Sequence, residues 1–321
     1  MLSRVADSLY WTSRYLERAE QIARVVDVNL GLTADRAPID AARHWGRLLG
    51  SLPPPPPLDA GPAAEDGGAT VDLANRASIA ACVGAARENA RQVREEIASE
   101  MWEELNRLYL TVRRVDGPSP EWSSGTHDFL GTVIGGVHMF RGVTDATMAR
   151  GEGWHFMEAG RYVERASATA ALLDVQSREC PWSADQPPTA SEHLEWVGLL
   201  RACCAFEAYC RRYTADVRPD RIAAFLVLDR DCPRSLRFAA GRIHGSVTAL
   251  SSLTGHVDGR ADRLAGRLLA SLEYAQAAEI LADLPGCLQN VVQQTALINE
   301  AVHHQYVTYP IQPVPTAWVE A

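Results

Sequence analysis

The chain contains no lysine: all 31 of its Lys-plus-Arg positions are arginine. Without lysine no protein Schiff base forms, which excludes pyridoxal-phosphate enzymes and lysine aldolases. There is no Walker-A lysine, so the chain is not a P-loop NTPase, and the phosphate-pairing lysine of protein kinases is missing too. Any ATP chemistry around this protein falls to a partner. The seven cysteines are odd in number and none are spaced C-x-x-C. They read as reduced, mostly buried thiols of a cytosolic protein, with a zinc site or a catalytic thiol as the alternatives. No apolar run approaches the roughly 18 residues of a membrane span, and Arg4 and Asp7 interrupt any signal-peptide core. A cytoplasmic location is expected. A net charge of −9 argues against broad nucleic-acid binding, which needs a basic stripe.

What is present is helical. At 321 residues, 47% hydrophobic and 22% charged, the chain is ordinary globular material able to bury a large core without disulfides. Leu2, Val5, Leu9, Thr12, Leu16, Ala19, Ala23, Val26 and Leu30 recur at steps of three and four. That is one long helical seam with small residues in its middle, stopping near Gly31. A second helix is expected over Asp40–Leu49, and the proline-rich stretch Ser51–Gly68 reads as an inserted mobile loop. Helix resumes near Val71, with a break near Gly84, and Asp116–Trp122 reads as a turn. Further helices are expected over 123–149, 154–177, 190–215, 219–228, 233–255, 260–283 and 286–307. No hairpin or alternating pair supports a sheet. The expected fold is an all-α multi-helix bundle forming a single domain, 1–321.

The first helix has a copy. RYLERAEQIARVVDV, from Arg14 to Val28, aligns with RYVERASATAALLDV, from Arg161 to Val175, a shift of 147 residues with eight of fifteen positions identical. Chance gives about one, so duplicated halves of about 1–150 and 151–321 are expected. Leu16, Ala19, Ala23 and Val26 lie on the seam, whereas Arg14, Glu17 and Arg18 lie on the opposite face, as do Arg161, Glu164 and Arg165 in the copy. A retained core pattern is unsurprising; a retained Arg-x-x-Glu-Arg face asks for a reason. In one reading each Glu bridges arginines inside a large bundle, as the planar guanidinium fork suits. In the other, both motifs converge on a cavity that binds an anionic or peptidic ligand.

These motifs carry a resemblance. MLSRVADSLYWTSRYLERAEQIARVVDVN, REEIASEMWEELNRLYLTV, FRGVTDATMARGEGWHFMEAGRYVERA and FLVLDRDCPRSLRF together resemble the Alpha-E family, a bacterial helical family named for its Glu-Arg motif. The pairs Glu17–Arg18 and Glu164–Arg165 match that motif. The resemblance implies no activity directly. It implies a circularly permuted ATP-grasp protein as partner, with transglutaminase-like cysteine peptidases as frequent neighbours, and hence a peptide- or amide-forming system.

Other candidates are weaker. Glu152-x-x-His155 and Glu300-x-x-His303 have di-iron spacing, but Glu152 sits between two glycines and two further inward carboxylates would be needed. No metal or cofactor is expected. His155 can instead line a cavity with Glu158 and Glu164. Asp231 is expected to cap the helix starting near Pro233, with Arg234 beside its N-terminus as an anion site. Three functions stay open: a non-catalytic partner of an ATP-grasp ligase using Arg14, Arg18, Arg161 and Arg165; an acyl or amine transferase with Glu17 or Glu164 as general base; and a scaffold with Glu-Arg clamps.

Overall fold

The computed structural model describes residues 1–33, 71–114, 122–182, 188–214, 216–255 and 259–307. Among these every regular element is helical, and the all-α expectation holds. The helices are α1 Ser3–Thr33, α2 Val71–Gln92, α3 Ser99–Arg114, α4 Trp122–Thr147, α5 Glu152–Glu179 and α6 Ala190–Ala202. They continue with α7 Phe206–Tyr213, α8 Pro219–Leu228, α9 Leu236–Thr254, α10 Arg260–Glu273, α11 Ala277–Ala282 and α12 Leu284–Val302. The expected helix Asp40–Leu49 and loop Ser51–Gly68 lie outside the described residues, as does most of the Asp116–Trp122 turn.

The outer helices bury one stripe each. α3 buries Met101, Leu105, Leu108 and Val112, and α10 buries Ala261, Ala265, Leu268 and Leu272, both at steps of four and three. α1 and α5 differ: both bury residues around their circumference, polar ones included. They pack on each other at the centre. α1 also touches α2, α4 and α6, while α5 also touches α9 and α12. One continuous apolar cluster runs through all of these helices. Because the middle of α1 and of α5 is buried on nearly every side, the charges there must be neutralised inside the protein.

Local chemistry sets several ends. Thr189 and Glu192 form a capping box on α6, and Pro219 opens α8. The cap of α9 is Ser235, whose hydroxyl accepts from the Phe238 N–H, and not the expected Asp231. Asp229 shapes that turn instead, accepting from the N–H groups of Asp231 and Cys232 at 2.9 and 2.7 Å. α1 runs through Gly31 to Thr33, and α2 runs unbroken through Gly84, the break falling after Gln92. The expected helices 190–215 and 260–283 are each two helices.

The first of those breaks is at Cys203–Ala205, where Cys204 takes a left-handed φ of 48°. A β-carbon disfavours that region, and the Cys204 side chain is exposed, so it gains no packing in return. Cys204→Gly is expected to stabilise the protein by about 1 kcal/mol, read from urea denaturation. A lower midpoint for the variant would show that the thiol contributes more than the strain costs.

All seven cysteines are thiols, but only Cys82, Cys203 and Cys232 are buried, fewer than expected. Burial pushes the Cys82 and Cys203 thiols up to about 12, so neither is a nucleophile at neutral pH. No helix among the described residues is long and apolar enough to cross a membrane.

Candidate functional site

The two Arg-x-x-Glu-Arg faces meet across the α1–α5 contact and exchange partners. Arg14 and Arg18 of α1 grip Glu164 of α5: Arg14 Nε donates at 2.9 Å, and Arg18 donates Nε at 2.6 Å and Nη2 at 3.1 Å. In return Arg165 of α5 donates Nε and Nη2 to the two oxygens of Glu17 at 2.8 Å each. Both forks are bidentate, the geometry that distinguishes Arg from Lys. Glu17 is fully buried and Glu164 is 1% exposed.

Aromatic rings brace the same guanidiniums. Arg18 lies 5.7 Å from the Tyr15 ring centre and Arg165 lies 5.0 Å from that of Tyr162. Both tyrosines occupy the second position of their motif, so each Arg has a carboxylate at its edge and a ring at its face. Arg14 stands over Trp11 at 4.5 Å and hydrogen-bonds Asn299 of α12 at 2.6 Å. Arg161 breaks the exchange: it pairs with Glu158 on its own helix rather than with Glu17.

Two further arginines complete the Glu17 shell. Arg141 of α4 bonds both Glu17 and Glu20. Arg234, from the turn before α9, reaches Glu17 Oε1 at 3.0 Å, Glu20 Oε1 at 2.8 Å and Gln21 Oε1 at 2.5 Å. Glu20 also accepts from Arg24 at 2.7 Å and lies 3.2 Å from the exposed His138. Arg234 is therefore drawn inward by carboxylates, not left at a helix N-terminus to hold an anion. Asp231 is exposed and outside the cluster.

Electrostatics follow from this shell. Burial pushes the Glu17 carboxyl up, but Arg141, Arg165 and Arg234 outweigh it and hold it at about 2. Burial likewise opposes Glu20, and Arg141 and Arg234 hold it well below its ordinary value. Burial works against the charged Arg234, but Glu17 and Glu20 raise its affinity for the proton.

Linkage fixes a pH window. A depressed carboxyl contributes stability that is complete above its unfolded value of 4.5 and lost as pH falls through its folded value near 2. Denaturation free energies are expected to fall steeply between those limits, and Glu17→Gln should flatten that limb. A limb unchanged in Glu17→Gln would show that other carboxyls govern acid unfolding.

His155 is half-buried, with Glu158 and Arg242 as its charged neighbours, and burial lowers its pKa. Its Nδ1 is buried and has no hydrogen-bond partner. Glu158, 4% exposed, accepts from Arg161 and from Arg242 of α9, the latter at 2.6 Å. Among the described residues no group of three or more His, Cys, Asp or Glu side chains forms a metal-binding set.

Sequence reasoning missed Glu20, Arg141 and Arg242, and it placed Glu158 beside His155 without its arginine partners. The repeat itself gave no pointer to the two carboxylates, because Glu20 aligns with Ser167 and Glu158 with Trp11. One signal was available: Glu20 and Arg24 are four apart, on the face that carries Glu17.

The chain is 22% identical over 299 residues to uncharacterised proteins of Mycobacterium tuberculosis and Mycobacterium bovis. The match covers 86% of this chain and 33% of each relative, so the chain spans about a third of the length of the curated relatives it matches. No solved structure matches it. Residues 1–307 match the family described as "a predicted alpha-helical domain with a conserved ER motif", and the Glu-Arg pairs at the α1–α5 crossing are of that type. The chain belongs to the Alpha-E family.

Proposed function

We propose that this chain is a non-catalytic helical partner of an ATP-grasp amide or peptide ligase, which it docks or to which it presents an anionic or peptidic substrate. The observation that carries the non-catalytic half is the saturation of the motif carboxylates. Glu17 is buried under three arginines and held at about 2, so it cannot take a proton from an amine near neutral pH. Both oxygens of Glu164 are occupied by Arg14 and Arg18. A general base needs a lone pair free for the reacting proton; Glu17, with two guanidinium contacts on each oxygen, has none to spare. The Glu-Arg motif in this reading is a clamp that fixes α1, α4, α5 and the turn before α9 around one point.

The ligase half rests on the family resemblance, which is association. It agrees with two facts about the chain. The absence of lysine leaves phosphate handling to another protein, and the relatives carry about twice as much additional sequence alongside the matched region. The test is reconstitution with a circularly permuted ATP-grasp protein of the same organism. Amide product should form faster with the chain than without it, and the two proteins should co-elute in gel filtration. Full-rate product from the ligase alone would sink the partner reading. Turnover of an acyl or amine substrate by the isolated chain, lost in Glu17→Gln or Glu164→Gln, would establish the enzyme reading instead.

A further inference from the structure

A cavity of about 280 Å³ opens between α1, α4, α5 and α9, beside the clamp. Its wall carries Arg141, Arg161 and Arg242, the carboxylate of Glu158, and an apolar side that includes Phe140 and Trp154. Arg161 and Arg242 share one carboxylate, which cannot accept from all the donors that two guanidiniums present. Arg161 Nε is buried and has no hydrogen-bond partner. Arg242 is 47% exposed at the side chain, so it can be reached from solvent. At the rim Asp145 is already paired with Arg150 at 2.7 Å. With Arg141 committed to Glu17 and Glu20, Arg161 and Arg242 against the one carboxylate of Glu158 leave an excess of one positive charge at this cleft, in a protein of net charge −9.

We propose that this cavity binds the zwitterionic end of an amino acid or dipeptide, its carboxylate on Arg161 and Arg242, its ammonium on Glu158, and its apolar side chain against Phe140 and Trp154. The size fits: at roughly 30 Å³ per water the cavity holds about nine waters, too few for a nucleotide. A guanidinium pair is the side-chain set that grips a carboxylate in two directions. Glu158 opposes a phosphate dianion through like-charge repulsion but welcomes an ammonium. The chemistry names the substrate class of the partner reading above, and its link to a ligase rests on that reading. The binding itself does not.

The experiment is calorimetry on the full chain with L-phenylalanine, L-alanyl-L-phenylalanine, the C-terminal amide of that dipeptide, and inorganic phosphate. The free acids should bind, and amidation should weaken binding about tenfold or more, the usual loss of a charge-assisted hydrogen bond. Arg242→Ala should weaken the acids by a similar factor and leave Glu158 paired with Arg161. Gly142 lines the same cavity, and a β-carbon there meets nothing within 4 Å. Gly142→Leu should therefore fill the space and abolish binding while melting at or above the wild-type temperature. The proposal is overturned if the amide binds as well as the acid, if phosphate binds more tightly than the dipeptide, if Gly142→Leu binds normally, or if no probe binds at 10-millimolar order. A ligase that needs the chain while the cavity stays silent would sustain the partner reading and defeat this one.

Discussion

Glu17→Gln is expected to cost about 3–5 kcal/mol of folding free energy, the typical penalty for removing one member of a buried charge cluster. The size follows from what is left behind. Arg165 loses one of its two bonds to residue 17, the amide oxygen keeping the other as a weaker neutral acceptor, and it retains the Pro233 carbonyl at 3.3 Å. Arg141 and Arg234 fall back on Glu20, which Arg24 already engages. The new amide also turns an NH2 group toward a guanidinium, donor against donor. Three arginines would then share the Glu20 carboxylate, with Arg165 beside them, in a site where burial leaves little solvent screening.

Calorimetry should show a melting temperature lower by roughly 4–7 °C. The control is Glu88→Gln, which breaks the exposed Glu88–Arg91 pair on α2 and should leave melting unchanged. A Glu17→Gln loss of under about 1 kcal/mol would show that water or a rotamer change relieves the stranded arginines, and the clamp reading would fail.

Much of this arrangement was legible before any coordinates. The seam positions Val5, Leu9, Leu16, Ala19, Ala23 and Val26 are buried as their spacing implies. The Arg-x-x-Glu-Arg face was visible because two copies retained it. Its destination was not, because a helix buried on every side has no polar stripe to mark it. A charged face reads as wet until the partner helix is known, and that partner lies about 150 residues away in sequence. Arg141 was invisible for the same reason, and Glu20 was marked only by its i, i+4 spacing to Arg24. The missed breaks at Cys203–Ala205 and after Glu273 have a local cause. Neither carries Gly or Pro, and the first turns on a cysteine at positive φ, which no propensity announces. Conversely, Gly84 invited a break that does not occur on a helix packed against α3, and α1 ends at Thr33, two residues past Gly31.

The second large effect concerns backbone approach rather than charge. Gly160→Ala is expected to destabilise by about 1–3 kcal/mol, and Gly160→Val by more. Gly160 is on α5, one residue before the Arg161 that opens the second motif. A β-carbon there would press onto the carbonyl oxygen of Tyr10 and meet its carbonyl carbon at 3.2 Å. Backbone on a central helix cannot swing aside as a flexible side chain can, so α1 and α5 must separate. Separation also lengthens the forks between Arg18 and Glu164 and between Arg165 and Glu17, which tolerate little displacement at 2.6–2.8 Å. The steric cost and the electrostatic cost are therefore coupled. A double-mutant cycle pairing Gly160→Ala with Glu17→Gln should give a total smaller than the sum of the single costs, because the first substitution already loosens what the second removes. Gly142→Ala, a helical glycine with open space at its β-carbon, should instead be neutral or stabilising. If the two alanine variants melt alike, the close crossing of α1 and α5 is not what holds the motif arginines within reach of their carboxylates.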